Sequence, residues 1–478
     1  MLRLFAATIL LSFTLIDSVS GALRATQPEF ENETIEKPAS PLELFPIVDP
    51  LNCPSDPIIH DPRMQNNDPI ISKFLQKRRD WLQKEFHPNR NHETFVADYE
   101  KMFVTMPAGS NFVFWEQKQG VDGHFTPVFD LSAWYEDKLG NMRVATGVYT
   151  SDTYTWNFVR PSRKEPHPKQ KTIKLKGDYV VYVAGWYTLY QHVLIDHLGY
   201  LVYMSRIVPP TTRFLMPKVE NYFNAYDMLR VIDPSLASRV DFMSCHDWQQ
   251  CHNQVFEVEG SLRIATPVST SRHLELYQMV RNWMYNSSKL NAVVLANNHE
   301  SLVIYYKRAS YIAGRARAVN QRYMDEDQET EIITRIEHAL RRYGRKERLV
   351  IFDGKMSFLE QMSLFSSATT VIGTHGGGLA NILLMAPAEN RNCMERPKVL
   401  EFVTNPGTPK VQRADIIASY YTLYATCPWV ELHQILFTEE STEDLTFINM
   451  NAFDDALKSL FGPNSEAQSM SSTKHLVV

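Results

Sequence analysis

The spacing of apolar positions in this chain changes character along its length. Between 111 and 158, aromatic and β-branched runs alternate with turn signals, notably Gly120-Val121-Asp122-Gly123 and Leu139-Gly140-Asn141, which predicts antiparallel strands. A polar, basic loop at Pro161–Lys176 ends that region. Asp178–Ala184 is then an uninterrupted apolar strand, followed by a helical period over Leu189–Arg206 that stops at Pro209-Pro210. Strands at Phe214–Met216, Arg239–Met243 and Gln254–Val258 are expected next, with helices at Glu220–Val231 and His273–Tyr285. The last third repeats the alternation, with strands at Leu302–Tyr306, Leu349–Phe352, Thr369–Ile372 and Val399–Val403. Helices are expected at Asp327–Tyr343, from Ser357 to Ala368, at Thr408–Ala418 and at Phe453–Phe461. Ser357-Phe358-Leu359-Glu360 is a capping box. Strands joined by helices predict a parallel, right-handed, doubly wound sheet.

The 478 residues suffice for two domains with real cores, and a net charge of −5 argues against a nucleic-acid partner. Arg3, the apolar run Leu4–Ile16 and Ser20-Gly21-Ala22 read as a signal peptide over residues 1–22. The run falls short of the roughly 20 residues that span a bilayer, so membrane insertion beyond a short signal anchor is not expected. Residues 23–70 are Pro-rich and read as an extended stem, Lys73–Phe86 as a helix, and the Ser-rich end, 464–478, as a tail. Two sequons, Asn32-Glu33-Thr34 and Asn286-Ser287-Ser288, fit a lumenal compartment. In that compartment Cys245 with Cys251 and Cys393 with Cys427 are plausible bridges, leaving Cys53 over; spacing does not fix the pairing.

The stretch Thr369–Pro387, TTVIGTHGGGLANILLMAP, carries the chemistry. A β-branched run breaks into a turn with Gly373, Gly376, Gly377 and Gly378, and an apolar helix follows. Such a turn, with unpaired amides at a helix start, suits a diphosphate, although glycines also serve simply to let a loop turn. His375 beside it is a candidate donor to phosphate or sugar. Glu401, about 20 residues on and near the end of the next strand, is a candidate for ribose hydroxyls. Lys307, Arg308, Arg315 and Arg317 follow the first strand of the C-terminal repeat, at the sheet edge that bears the turn, where guanidinium forks can take phosphate oxygens. His192 and Asp196 lie four apart on one helical face and are candidates for deprotonating an acceptor hydroxyl; a core histidine and a surface carboxylate are the plainer alternative. Asp325-Glu326-Asp327 has the look of a metal-holding D-x-D, but its place before a helix makes N-terminal capping the simpler account. The spacing H-G-G-G on a third strand argues against a nicotinamide dehydrogenase. No metal ligand set is expected.

Three blocks resemble glycosyltransferase family 61. Tyr190-Gln191-His192-Val193-Leu194-Ile195-Asp196-His197-Leu198 is similar to the family's aromatic-x-H-W-L-x-[DE]-x-L segment. Lys307-Arg308, then Arg315-Ala316-Arg317-Ala318-Val319-Asn320, is similar to its R…R-x-[IVL]-x-N segment, and this adds Asn320 to the site. Ser357 to Met385 resembles S-F-x-E-Q-x-x-L-F-x-x-A, a strand and H-G-A-G-L-x-N, and Val399–Phe402 resembles V-x-E-[LF]. Val193 stands for Trp, Gly199-Tyr200 for Pro-Arg and Gly377 for Ala. The resemblance implies an α/β GT-B fold: two Rossmann-like domains facing across a cleft, with a β-rich N-terminal extension. The boundaries that follow are 71–290 for the acceptor side and 291–463 for the nucleotide-sugar side. It also implies metal-independent, inverting transfer of GlcNAc or xylose from a UDP-sugar, a co-substrate with no further cofactor. The acceptor would be a hydroxyl of a glycoprotein or polysaccharide in the ER or Golgi lumen, or outside the cell. The competing expectation is a secreted nucleotide-sugar- or glycan-binding protein that keeps the fold without catalysis.

Overall fold

The computed structural model describes residues 58–60, 103–121, 124–136, 142–150, 153–159, 172–182, 198–219, 225–245, 255–265, 301–308, 323–385, 396–403, 430–438 and 445–463, with Gln76, Tyr190, Val193, Leu194, Glu440 and Ser441 besides. The signal peptide, the Lys73–Phe86 helix apart from Gln76, and the helices expected at His273–Tyr285 and Thr408–Ala418 lie outside them. The chain divides into two compact units, residues 1–45 and 46–478, and every described residue belongs to the second. Among the described residues no helix is long and apolar enough to cross a membrane.

The architecture is α/β with two largely parallel sheets. The C-terminal sheet has the order Ile58–Ile59, Glu431–Leu436, Lys398–Val403, Ala368–Thr374, Leu302–Tyr306, Arg348–Phe352, and every pair in it is parallel. Leu302–Tyr306, covered on both faces, reads as an unbroken apolar run. Side chains alternate between faces. Val303, Tyr305, Ile372, Leu400, Phe402 and Ile435 pack with Ile332, Ile336, Phe453 and Leu457 of the helices Glu326–Arg342 and Met450–Phe461. Both helices begin on side-chain caps: Asp325 accepts from the Gln328 amide, and Asn449 from the amides of Asn451 and Ala452. The expected capping box is present too, with Ser357 Oγ taking the Glu360 amide and Glu360 taking the Ser357 amide.

The second sheet has the order Val240–Cys245, Arg213–Val219, Tyr179–Tyr182, Leu262–Ala265, Phe103–Met106. Its pairs are parallel except the last, where Phe103–Met106 runs antiparallel to Leu262–Ala265. A third, β-rich sheet has the order Thr153–Val159, Met142–Thr150, His124–Glu136, Asn111–Val121, Val255–Val258, Ile173–Leu175. Its first four strands form the expected antiparallel meander.

Three expectations change. The strand near Gln254–Val258 exists, but it joins the β-rich sheet, antiparallel to Asn111–Val121. The parallel place beside Tyr179–Tyr182 is taken by Leu262–Ala265. Ile173–Leu175, inside the stretch read as a loop, pairs with Val255–Val258. Ile58–Ile59, inside the stretch read as a stem, adds an edge strand to the C-terminal sheet.

That edge is fixed by an imidazole pair. The His60 amide donates to Gln434 O at 2.9 Å, and His60 Nε2 lies 2.9 Å from His433 Nδ1 with the rings stacked. His433 Nε2 lies 2.7 Å from Glu431 Oε1. Burial first, and His433 second, push His60 down from 6.5 to about 4. The folded chain thus favours neutral His60, while the unfolded chain takes up a proton near 6.5, so this stability is full above 6.5 and lost as pH falls toward 4. Denaturant titrations should therefore show the wild type losing stability over that window more steeply than His60→Gln. Equal pH slopes in the two proteins would contradict the assignment.

Candidate functional site

After contributing the Ile58–Ile59 edge, the chain re-enters the C-terminal sheet at the Leu302 strand, moves outward to Arg348–Phe352 on one side, then crosses back to Ala368–Thr374 on the other. Strand order therefore reverses between Leu302–Tyr306 and Ala368–Thr374. A crevice opens at the carboxyl ends of such strands because their connections leave in opposite directions. One of these ends carries Lys307 and Arg308, and the other carries His375 and the glycine turn.

The two cations part company there. Arg308 Nη1 donates to the His375 carbonyl at 3.2 Å, so its guanidinium lies over the turn, and a Cβ on Gly376 would sit 3.4 Å from Arg308 Cζ. Lys307 turns to the helix face instead, with Nζ 2.7 Å from Glu329 Oε2, and Tyr305 Oη donates to the other oxygen of that carboxylate at 3.2 Å. Lys307 therefore anchors the strand to Glu326–Arg342, and Arg308 alone of this pair reaches the turn.

The apolar run after the turn is helical, as expected, and of the 3₁₀ type over Gly377–Leu384. The glycines have a second use that their sequence does not disclose. Gly373 is the register partner of Tyr306, and a Cβ there would meet Tyr306 Cβ at 2.8 Å. On Gly378 it would meet the Tyr306 ring at 2.4 Å. The turn closes over the Tyr306 ring because both side chains are missing. Burial pushes the Tyr306 hydroxyl up, while the Arg308 guanidinium and the Gly378 backbone pull it the other way. Burial dominates, and the net direction is upward from the ordinary phenol value.

Beneath the turn is a buried polar chain. Glu401 Oε1 lies 2.6 Å from His375 Nδ1, and Gln434 Nε2 donates to Glu401 Oε2 at 2.9 Å. Glu401 is 0% exposed and His375 2%. This revises the ribose expectation: Glu401 has both oxygens engaged and no surface, so it supports the turn from below through His375. His375 also ties its own amide to Phe402 O at 2.9 Å and offers its carbonyl to Arg308.

A cavity of about 560 Å³ adjoins the turn, lined by Gly377, Gly378, Tyr306, Phe352, Gln361 and Tyr190, among others. Sequence reasoning gave Tyr306, Tyr190 and Gln361 no role, although Tyr190 opens the first block, Gln361 lies within the third, and Tyr306 directly precedes Lys307-Arg308. The Asp325-Glu326-Asp327 run is the helix cap, as its position implied. His192, Asp196, Arg315, Arg317 and Asn320 lie outside the described residues, although Val193, Leu194 and Leu198 around the first two are buried.

A crevice at the switch point of a parallel α/β sheet, flanked by an arginine and a glycine turn, is chemically suited to an anion. Comparison with known proteins narrows the class: residues 190–390 match the family described as Glycosyltransferase 61. The chain carries a glycosyltransferase family 61 domain over those residues and is a glycosyltransferase. No curated protein matches it.

Replacing Glu401 by leucine strands the polar atoms of His375 and Gln434 in the interior, at about 1–3 kcal/mol for each group left unsatisfied. Glu401→Leu should lower the denaturant midpoint by the equivalent of about 2–6 kcal/mol. A Glu401→Leu protein as stable as wild type would contradict the buried chain.

Proposed function

We propose that the protein is an inverting, metal-independent glycosyltransferase that moves GlcNAc or xylose from a UDP-sugar to a hydroxyl of a glycoprotein or glycan in the secretory pathway. In this reading the two parallel sheets are the cores of Rossmann-like domains in a GT-B arrangement, with boundaries near 71–290 and 291–463. The observation that carries it is the meeting of Arg308 with the glycine turn at the strand-order reversal.

The residues divide the work by charge. As the glycosidic bond to the diphosphate breaks, the leaving UDP gains negative charge. Arg308, Arg315 and Arg317 with the Gly376–Gly378 amides stabilise that charge, so the electrostatic demand is met by guanidinium groups and backbone dipoles. Asn320 follows them in the same family-like segment. Asp196, assisted by His192, accepts the proton of the acceptor hydroxyl while its oxygen attacks the anomeric carbon on the face opposite the diphosphate. His375 acts from beneath the turn, oriented by Glu401. Tyr306 and the aromatic wall at Phe352 bound the donor cavity.

A charged hydrogen bond contributes about 1.5–3 kcal/mol, so Arg308→Ala should weaken UDP binding by about ten- to hundredfold in calorimetric titration while leaving the denaturant midpoint nearly unchanged. Unaltered UDP affinity would move the phosphate site elsewhere. In a UDP-release assay over a donor panel, Asp196→Asn should abolish transfer and keep UDP affinity. Wild-type turnover in that variant would remove Asp196 from the mechanism, and binding by the wild type with no turnover on any acceptor would favour a non-catalytic sugar-nucleotide binder.

A further inference from the structure

The cavity wall contains a directed chain of hydrogen bonds between side chains far apart in sequence. Tyr190 Oη donates to Asn381 Oδ1. Asn381 Nδ2 donates to Gln361 Oε1 at 2.8 Å, and Gln361 Nε2 donates to the Met356 carbonyl at 2.8 Å. Asn381 is 0% exposed and sits in the 3₁₀ helix that leaves the glycine turn. Gln361 belongs to the helix Phe358–Ser366. Tyr190 comes from the other side of the chain, eight residues after the strand Tyr179–Tyr182 ends, and lines the cavity together with Gln361 and Met356. Burial pushes its hydroxyl well above the ordinary phenol value, so it remains a proton donor at any physiological pH.

His192 and Asp196 follow Tyr190 by two and six residues. The Tyr190–Asn381 bond therefore ties the segment that carries the candidate base to the turn that carries the candidate diphosphate site. We propose that Tyr190, Asn381 and Gln361 form a positioning relay that sets the acceptor-activating segment at a fixed distance from the donor turn. The proposal rests on the glycosyl-transfer reading above. None of the three residues is a base or a charge-neutralising group. Their effect is on alignment, and displacement of reacting groups by about 1 Å can slow a reaction about a hundredfold. A merely structural role, in which the relay only satisfies buried amides, predicts loss of fold stability and of ligand binding together.

Tyr190→Phe removes one oxygen and keeps the ring that fills the cavity wall. In the full-length protein, the variant should lose about ten- to hundredfold in kcat for transfer, with KM for the UDP-sugar and the thermal shift given by UDP close to wild type. Hydrogen exchange should rise at residues 190–207 and stay unchanged across the strand Ala368–Thr374. Wild-type kcat in Tyr190→Phe overturns the proposal, as does a parallel loss of kcat and UDP affinity. If the wild type gives no thermal shift with UDP, the glycosyl-transfer reading is what fails. The exchange comparison then decides the link by itself: equal protection of 190–207 in both proteins overturns it, and selective loss in the variant supports it.

Discussion

Everything at the candidate site follows from one topological constraint, the reversal of strand order beside Leu302–Tyr306. Two neighbouring parallel strands whose connections depart in opposite directions leave their carboxyl ends uncovered. Here those ends bear Arg308 and the His375–Gly378 turn, and the Arg308 bond to the His375 carbonyl joins them. Fixing a cation over backbone amides favours any anion that enters the gap. The glycines matter twice: they bring the backbone to the crevice and make room for the Tyr306 ring at its floor.

The chain under the turn shows how the fold supports this edge. A carboxylate with no exposed surface is tolerated only when its oxygens are hydrogen-bonded, and Glu401 has His375 on one oxygen and Gln434 on the other. Gln434 lies on Glu431–Leu436, the strand that also receives Ile58–Ile59 and seats the His60–His433 pair. The N-terminal edge strand and the floor of the candidate site thus share one strand, with His433 serving one side and Gln434 the other.

Much of this was legible in sequence because it is local. The apolar runs LVIYY and the strand before the turn announce buried parallel strands, and the Ser357 and Asp325 caps announce helix starts. The glycine turn and Arg308 were expected on one edge because strand ends of a doubly wound sheet share it. What escaped reading depends on partners distant in the chain. His433 and Gln434 interrupt the apolar pattern of Glu431–Leu436, and only the neighbouring Glu401 and His60 explain why polar side chains are buried there. Ile58–Ile59 is too short, and too closely flanked by prolines, to signal a strand. Val255–Val258 has the composition of any buried strand, which does not encode the sheet it joins. Glu401 was visible as an acidic residue near a strand end, but the strand that buries it was not. The Tyr190–Asn381 bond spans 191 positions and leaves no periodic trace at all.

The family match to residues 190–390 and the geometry at the switch point lead to the same part of the chain by different routes, one through residue pattern and the other through strand order. The central claim is that one anion pocket, built from Arg308 and the glycine turn, receives the diphosphate of the donor. A crystal structure with UDP bound tests it most directly. The account predicts diphosphate oxygens within hydrogen-bonding distance of the Arg308 guanidinium and the Gly376–Gly378 amides. UDP bound with its phosphates away from both groups would contradict it.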